Sequence, residues 1–235
     1  MTTVALAGST GLVGSHILTT LLADPTISTI HTYARRAPPN PTSSPKLVHI
    51  SNADSSTWPS TFPTFPPPQI FISALGTTRS AAGSIPAQRA IDLDLNLSLA
   101  RAARAAGVSC YVLVSSSGAN ARSGMAYAKM KGELEERVSE LGFEYTVILR
   151  PGLILGDRVE ARPAEAVARR VAGWLGSVSP RLTGGWCNGA EGIARAAVRA
   201  GGLCVGGERE GGEGKGKGKG VWVLGIAEIA ELGKE

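Results

Sequence analysis

Tyr127 and Lys131 are the two residues whose types and spacing most directly indicate chemistry. They lie in the stretch 126–141, which has the spacing of a helix, so they share one face a turn apart. A phenol with its ordinary pKa of about 10 is unreactive at neutral pH. A neighbouring ammonium stabilises the phenolate and lowers that pKa. The pair can therefore give a proton to a carbonyl that is being reduced, or take one from an alcohol that is being oxidised.

Three consecutive serines end the apolar run that precedes this helix. We expect the hydroxyl of Ser115 to stabilise the charge that develops on the substrate oxygen, with Ser116 and Ser117 as alternatives. A Y-x-x-x-K pair alone occurs by chance on the surface of many helices. Its position after a strand that ends in serines, downstream of a glycine-rich loop, favours a catalytic role for Tyr127, Lys131 and Ser115.

The first fourteen residues predict the loop that would hold a dinucleotide. An apolar run at 3–7 predicts a strand, and helical spacing continues from residue 15. Between them, glycines at every third position allow a turn, a close approach of the backbone to a pyrophosphate and close helix–strand packing. The start of the helix would offer unpaired N–H groups and a positive dipole end to the phosphates. The predicted phosphate loop is Gly8-Ser9-Thr10-Gly11-Leu12-Val13-Gly14.

Two arginines, Arg35 and Arg36, follow the second predicted strand. They lie about 20 residues beyond the glycine loop, where a carboxylate binds the 2′-OH of NAD and an arginine can pair with the 2′-phosphate of NADP. Two arginines with no Asp or Glu beside them favour NADP(H). The alternative is an exposed basic pair at the end of a strand.

A second stretch that would face the cofactor is Gly76, Thr77 and Thr78, after the fourth predicted strand. The glycine would let the backbone run beside the cofactor, and the threonine hydroxyls would reach its ribose or phosphates. Lys131 would also hold the nicotinamide ribose, so the reacting phenol and the cofactor would meet in one site.

Strands and helices alternate along most of the chain, which predicts a Rossmann-like doubly wound α/β fold: a parallel sheet with helices on both faces. The predicted strands are 3–7, 28–33, 46–50, 69–75, 110–114, 145–149 and 221–224, and the predicted helices are 15–22, 85–106, 126–141, 164–175, 190–200 and 227–232. We expect a single domain, with residues 1–152 as the cofactor-binding core and 153–235 as a less regular part on the substrate side.

Two stretches of biased composition interrupt this alternation. Residues 38–68 contain nine of the fourteen prolines, so we expect a turn and an extended loop in place of the usual crossover helix. Residues 206–220 are rich in Gly, Glu and Lys and predict a mobile loop. Its lysines could touch anionic lipid or nucleic acid, but a solvated tether is the favoured interpretation.

Composition excludes several other classes of protein. The three cysteines form no C-x-x-C and the three histidines have no metal-ligand spacing, so we expect no disulfide, no structural zinc and no metal. No apolar run approaches the roughly 18 residues that span a bilayer, so membrane contact would be peripheral. Residues 1–20 do not have the pattern of a cleaved targeting segment. No basic, aromatic-interleaved surface is visible at a net charge of +5, so we do not expect nucleic acid as a partner.

The motifs together resemble those of the atypical short-chain dehydrogenase/reductases, in particular the fungal "found in mitochondrial proteome" family, which is related to the human Tat-interacting oxidoreductase. They are Gly8 to Gly14, Arg35-Arg36, Leu75-Gly76-Thr77-Thr78-Arg79, Ser115-Ser116, Tyr127-x-x-x-Lys131-Gly132-Glu133, Arg150-Pro151-Gly152 and Arg162-Pro163. The resemblance implies an NADP-binding fold in which Leu75, Arg150, Pro151 and Gly152 also contact the cofactor. It further implies peripheral residence on the cytosolic face of the mitochondrial outer membrane, with the cytoplasm as the alternative.

One position departs from the wider superfamily. Asp92 stands where extended members usually carry an asparagine that supports the catalytic lysine through water.

Two functional hypotheses follow from the motifs. The first is an NADPH-dependent reductase of a small carbonyl substrate. The second is an NADP(H)-sensing binding protein that performs no turnover.

Overall fold

The computed structural model describes residues 1–40, 43–155, 187–208 and 220–234. Within these ranges, seven strands form one sheet in the order β3-β2-β1-β4-β5-β6-β9, and β7 and β8 form a separate pair. All neighbouring strands are parallel. The strands are β1 (Thr2–Ala7), β2 (Ile27–Ala34), β3 (Leu47–Ser51), β4 (Ile70–Ser73), β5 (Cys110–Val114), β6 (Tyr145–Leu149), β7 (Leu153–Leu155), β8 (Cys187–Gly189) and β9 (Gly220–Leu224).

Helices cover both faces of this sheet, as the alternation of elements predicts. The described helices are α1 (Leu12–Ala23), α2 (Arg79–Ala82), α3 (Ile85–Arg89), α4 (Asn96–Ala106), α5 (Ala126–Ser139), α6 (Ala190–Val205) and α7 (Ile226–Leu232). None of them is long and apolar enough to cross a membrane. The chain order reverses between β1 and β4, which is where a ligand binds in an open α/β sheet, beyond the carboxyl ends of the strands.

Alternate side chains of the central strands β1, β4 and β5 enter two separate cores. In β1, Val4 and Leu6 pack with α1, α6 and α7, whereas Ala5 and Ala7 pack with α4 and α5 on the other face. This period of two is what a strand buried on both faces requires. The prediction of a Rossmann-like doubly wound α/β fold is confirmed.

The proline-rich stretch differs from its prediction. It contains a seven-residue 3-10 helix, Ser55–Thr61, with Pro59 inside it. Trp58 and Phe62 are buried, and the ring of Phe62 stacks on that of Tyr33 with 5.8 Å between centroids. The expectation of a turn and an extended loop is therefore wrong for Ser55–Thr61. Proline excludes a regular α-helix, but burial of two aromatic rings stabilises a short 3-10 helix instead.

The helix predicted over 85–106 is interrupted by a π-helical segment, Ala90–Leu95, that joins α3 to α4. The Asn96 side-chain amide donates to the carbonyl oxygens of Ile91 and Asp92, both at 3.2 Å, and so pairs backbone groups that the wider turn leaves free. This segment places Asp92 in the molecular interior. No glycine or proline marks the change in the sequence, so apolar spacing could not reveal it.

Several predictions concern the C-terminal third. The helix expected at 164–175 lies outside the described residues, as does residue range 209–219 of the predicted mobile loop. The helix expected at 190–200 extends to Val205, and the short pair of β7 and β8 was not predicted. The domain division at residue 152 stays a prediction. Part of 153–235 belongs to the same layers as the first half of the chain. Strand β9 pairs with β6 in the main sheet, and α6 packs on α1 beside it.

Candidate functional site

A cavity of about 510 Å³ opens beyond the carboxyl ends of β1, β4, β5 and β6. It brings together residues from three stretches of the chain, at 11–13, at 74–92 and at 114–154. The predicted site residues that line it are Gly11, Leu12, Val13, Leu75, Gly76, Thr77, Thr78, Ser115, Tyr127, Lys131, Pro151 and Gly152. The predicted site residues outside its lining are Gly8, Ser9, Thr10, Gly14, Arg35, Arg36 and Arg150.

The glycine loop is shaped by contacts that leave no room for side chains. Gly8 has φ +86°, and a Cβ on it would lie 2.6 Å from the Ala74 carbonyl oxygen. A Cβ on Gly14 would lie 2.0 Å from the carbonyl oxygen of Gly8. These two glycines therefore fix the loop against β4 and against the start of α1, whereas Gly11 lies at the cavity wall.

The start of α1 carries polar groups without partners. Gly11 is the residue before the helix and provides no side-chain cap for its first N–H groups. The Ser9 hydroxyl is fully buried and has no hydrogen-bond partner within the described part of the chain. An anionic group in the adjoining cavity would satisfy the N–H groups at the start of α1, because a helix N-terminus favours negative charge. The cradle therefore fits the pyrophosphate of a dinucleotide.

Arg35 and Arg36 are exposed immediately beyond the carboxyl end of β2. This end lies beside the glycine loop, since the Gly8 N–H donates to the Tyr33 carbonyl at 3.4 Å. The two arginines thus follow the strand that neighbours the phosphate cradle. The adenosine end of a bound dinucleotide would extend in this direction.

Tyr127 and Lys131 both face the cavity from α5. Tyr127 is 46% exposed, whereas Lys131 is only 4% exposed. A Cβ on Gly76 would lie 3.9 Å from the Lys131 Nζ, so the ammonium lies against the backbone of the loop that follows β4. The reacting phenol is therefore open to a ligand, and the ammonium is shielded from bulk water, which strengthens its electrostatic effect.

Asp92 is a fully buried carboxyl group in the same cavity wall. Its Oδ1 accepts the Thr77 N–H at 2.6 Å, and its Oδ2 accepts from the Gln88 Nε2 at 3.5 Å. Burial raises the pKa of Asp92, and the charge of Lys131 and these hydrogen bonds oppose that rise. The motif search did not predict a role for Gln88. Its spacing of four residues from Asp92 is the signal that could have indicated it.

Ser115 lines the cavity, but its hydroxyl is hydrogen-bonded to a side chain outside the lining. It donates to the Glu135 Oε1 at 2.5 Å, and Glu135 in turn binds the Arg150 guanidinium through the Nε at 3.1 and 3.2 Å. Hydrogen bonding to Glu135 raises the pKa of Arg150. Ser116 also lines the cavity, and its hydroxyl has no partner among the residues described. Glu135 was missed, although Tyr127, Lys131 and Glu135 recur every four residues on one helix face.

Asn188 of β8 fixes the loop after β6 through two hydrogen bonds. The Gly152 N–H donates to the Asn188 Oδ1, and the Asn188 Nδ2 donates to the Ile226 carbonyl, both at 3.1 Å. Leu153 and Ile154 of β7 line the cavity. This end of the cavity is apolar, and Asn188 was not predicted because its partners lie on elements distant in sequence.

Curated relatives are similar in sequence to this chain along its whole length. The model for the NAD dependent epimerase/dehydratase family matches residues 4–179. "Protein fmp52, mitochondrial" of Emericella nidulans is 52% identical over 238 residues and covers 100% of both chains. "Protein fmp-52, mitochondrial" of Neurospora crassa is 46% identical over 243 residues and covers 100% of this chain and 96% of the relative.

Solved structures share the fold at much lower identity. MoeE5 in complex with UDP-glucose and NAD gives a TM-score of 0.65 at 17% identity, covering 98% of this chain and 80% of that one. WbmH of Bordetella bronchiseptica in complex with NAD⁺ gives 0.62 at 17% identity, covering 98% and 79%. From these relatives and the matching family model, the chain belongs to the NAD dependent epimerase/dehydratase family and, within it, to the fungal proteins named fmp52.

Proposed function

We propose that this protein is an NADPH-dependent reductase of a small carbonyl compound. The observation that carries the proposal is that Tyr127 and Lys131 share one cavity with the glycine loop that precedes α1. A proton donor and a dinucleotide cradle in a single cavity are the two parts that carbonyl reduction requires. Family membership and NAD-bound structural neighbours support a nicotinamide dinucleotide as the cofactor.

The residues of this chain would divide the binding of NADPH among them. The unpaired N–H groups at the start of α1 would bind the pyrophosphate, and Lys131 would bind the nicotinamide ribose. The backbone of 75–78 and of 150–152 would flank the cofactor. When bound, NADPH supplies the hydride.

Tyr127 would give its phenol proton to the substrate oxygen as the carbonyl is reduced, and Lys131 would stabilise the phenolate that remains. We assign the second hydrogen bond to that oxygen to Ser116. The Ser115 proton is held by Glu135, so Ser115 would position the strand end, whereas the Ser116 hydroxyl is free within the described structure to donate.

The reductase proposal is tested by following NADPH oxidation across a panel of aldehydes and ketones. Tyr127→Phe should lower kcat by about 100-fold or more, because general acid catalysis contributes roughly that much. Tyr145→Phe is the matched control, since Tyr145 lies on β6 outside the cavity lining and should leave kcat unchanged. Equal rates for the Tyr127→Phe variant and the wild type would exclude the assigned proton donor.

Preference for NADP(H) over NAD(H) is the second part of the proposal. Arg35 and Arg36 are exposed beside the glycine loop, where they would pair with a 2′-phosphate. Replacing both with alanine should weaken NADPH binding by several-fold to a hundred-fold and leave NADH binding little changed, as measured by calorimetry. An equal loss for both cofactors would contradict this assignment.

For location, we propose peripheral residence on the cytosolic face of the mitochondrial outer membrane. The names of the relatives from Emericella nidulans and Neurospora crassa, which describe them as mitochondrial, support the organelle. Fractionation of cells should place the protein with mitochondria, carbonate should extract it, and external protease should digest it on intact organelles. Recovery in the cytosolic fraction would support the cytoplasm instead.

A second candidate is an NADP(H)-sensing protein without turnover. The observation that favours it is the buried Asp92 carboxyl beside Lys131, since a carboxylate there competes for the positive charge that Tyr127 would use. Tight NADPH binding with no oxidation across the carbonyl panel would select this candidate over the reductase.

A further inference from the structure

Arg79 is a cation in the cavity wall to which the proposed function assigns no role in cofactor binding or proton transfer. It is the first residue of α2, lies in the lining with Tyr127, and is exposed. The cavity contains a second cation, Lys131, and one carboxyl group, Asp92. Its lining therefore carries an excess of positive charge.

Each carboxyl group near this wall is matched to a different cation. Asp92 interacts with Lys131, and the Glu133 Oε2 lies 2.6 Å from the Nη2 of Arg89. The Glu135 carboxylate is bound by Arg150. Within the described ranges Arg79 has no carboxylate at ion-pair distance. An anion entering the cavity would therefore find the Arg79 fork available, whereas the guanidinium groups of Arg89 and Arg150 are paired with carboxylates.

The backbone that carries Arg79 is held at several points. The Thr78 Oγ1 accepts the Ala81 N–H at 3.2 Å and fixes the start of α2. The Thr77 N–H donates to Asp92 at 2.6 Å, and the Gln88 Nε2 donates to the Thr77 carbonyl at 3.1 Å. A fixed backbone lowers the conformational cost of binding through the adjoining side chain. This distinguishes Arg79 from an arginine on a freely moving surface loop.

We infer that Arg79 is the group that recognises the substrate, and that the substrates are carbonyl compounds carrying a carboxylate or a phosphate. This inference rests on the proposed function and adds the substrate class. The carbonyl end would lie at Tyr127 and Ser116, and the anionic end would pair with the guanidinium through two parallel hydrogen bonds. A phosphate of the cofactor has the same chemistry, so the test separates these two sources.

The experiment compares benzaldehyde with 4-carboxybenzaldehyde, which differ by one carboxylate. Binding to the protein loaded with NADP⁺ is measured by ligand-observed NMR, because oxidised cofactor and an aldehyde do not react. The wild type should bind 4-carboxybenzaldehyde about ten-fold or more tightly than benzaldehyde, the range expected for a charge-assisted pair. Arg79→Gln should abolish this preference, and Arg79→Lys should restore only part of it.

Arg101→Gln is the control, since Arg101 is exposed on α4 and lies outside the cavity lining. It removes one positive charge and should leave the preference unchanged. NADP⁺ and NADPH affinities, measured by calorimetry, should be equal in the wild type and in Arg79→Gln. A ten-fold loss of cofactor affinity in Arg79→Gln would assign the guanidinium to a cofactor phosphate and overturn the inference.

Equal affinity of the wild type for the two aldehydes, including no binding of either, would also overturn it. Preferential binding of 4-carboxybenzaldehyde that depends on Arg79, without NADPH oxidation by any aldehyde, would support the anion site and reject the reductase. NADPH oxidation with no preference between the aldehydes would support the reductase and reject the anion site.

Discussion

The two walls of the cavity are built in different ways. The wall formed by the glycine loop and α1 is made of backbone, with N–H groups and the Ser9 hydroxyl left without partners in the described structure. The opposite wall, formed by the ends of β5 and β6 and by α5, is made of side chains that pair with one another, such as Ser115 with Glu135 and Arg150. The first wall offers unused donors to a ligand. The second wall uses the polar groups of Ser115, Glu135 and Arg150 to fix its own geometry.

Gly14→Ala would test the backbone wall and should have the largest effect. A Cβ there would lie 2.0 Å from the Gly8 carbonyl oxygen, which is backbone and cannot rotate away. We expect NADPH affinity to fall by more than about 100-fold and the free energy of unfolding to fall by about 3 kcal/mol. Calorimetry and urea unfolding measure the two quantities.

Gly192→Ala is the matched control for that variant. Gly192 lies in α6, and a Cβ there meets nothing within 4 Å. The substitution should leave NADPH affinity unchanged and raise the unfolding free energy by about 0.5–1 kcal/mol, because alanine is the better helix former. An equal effect of both substitutions would show that the glycine loop is not sterically fixed.

Glu135→Gln would test the paired side-chain wall. It removes the charge between Ser115 and Arg150 and leaves a partly buried guanidinium with a weaker partner. Because Arg150 is 38% exposed, we expect a loss of about 2 kcal/mol in unfolding free energy, less than for a fully buried pair. Glu136→Gln, on the exposed side of α5, should change it by less than about 0.5 kcal/mol. Equal values for the two variants in urea unfolding would refute a structural role for Glu135.

Asp92 should give the smallest effect, seen as a pH dependence. Burial raises its folded-state pKa above the model-compound value of 3.8, so the protonated form is favoured by folding. The associated stability is present below that value and is lost as the pH rises through the folded-state pKa. Relative to Asp92→Asn, the wild type should therefore lose unfolding free energy as the pH rises above about 3.8. Parallel pH profiles of the two proteins in urea unfolding would contradict this.

The sequence predicted the backbone wall more completely than the side-chain wall. Gly8 has a positive φ, and Gly11 and Gly14 lie close to the Gly8 carbonyl, so the spacing of the three glycines is sufficient to indicate the loop. Glu135 acts through Ser115 and Arg150, which lie on other elements, and only the folded sheet brings the three together.

The same distinction explains the fold predictions. Strands buried on both faces were predicted nearly to the residue, because continuous apolar runs suffice to identify them. The π-helical segment and the 3-10 helix were not predicted, because each is accompanied by tertiary contacts. The Ser73 hydroxyl of β4 donates to the Asn96 Oδ1, and Trp58 and Phe62 enter the core. Ser115 shows the consequence at the site. The sequence places it at the end of β5, but its hydrogen bond to Glu135, which lies on α5, was not available from the sequence.

The central claim is that the backbone wall binds a phosphorylated nicotinamide dinucleotide. The most direct test is a calorimetric titration of the folded wild type with NADPH and with NADP⁺, with folding verified by a cooperative thermal transition. We expect one saturable binding event per chain for each cofactor. Absence of binding heat with both cofactors, from wild-type protein that shows this cooperative transition, would contradict the claim.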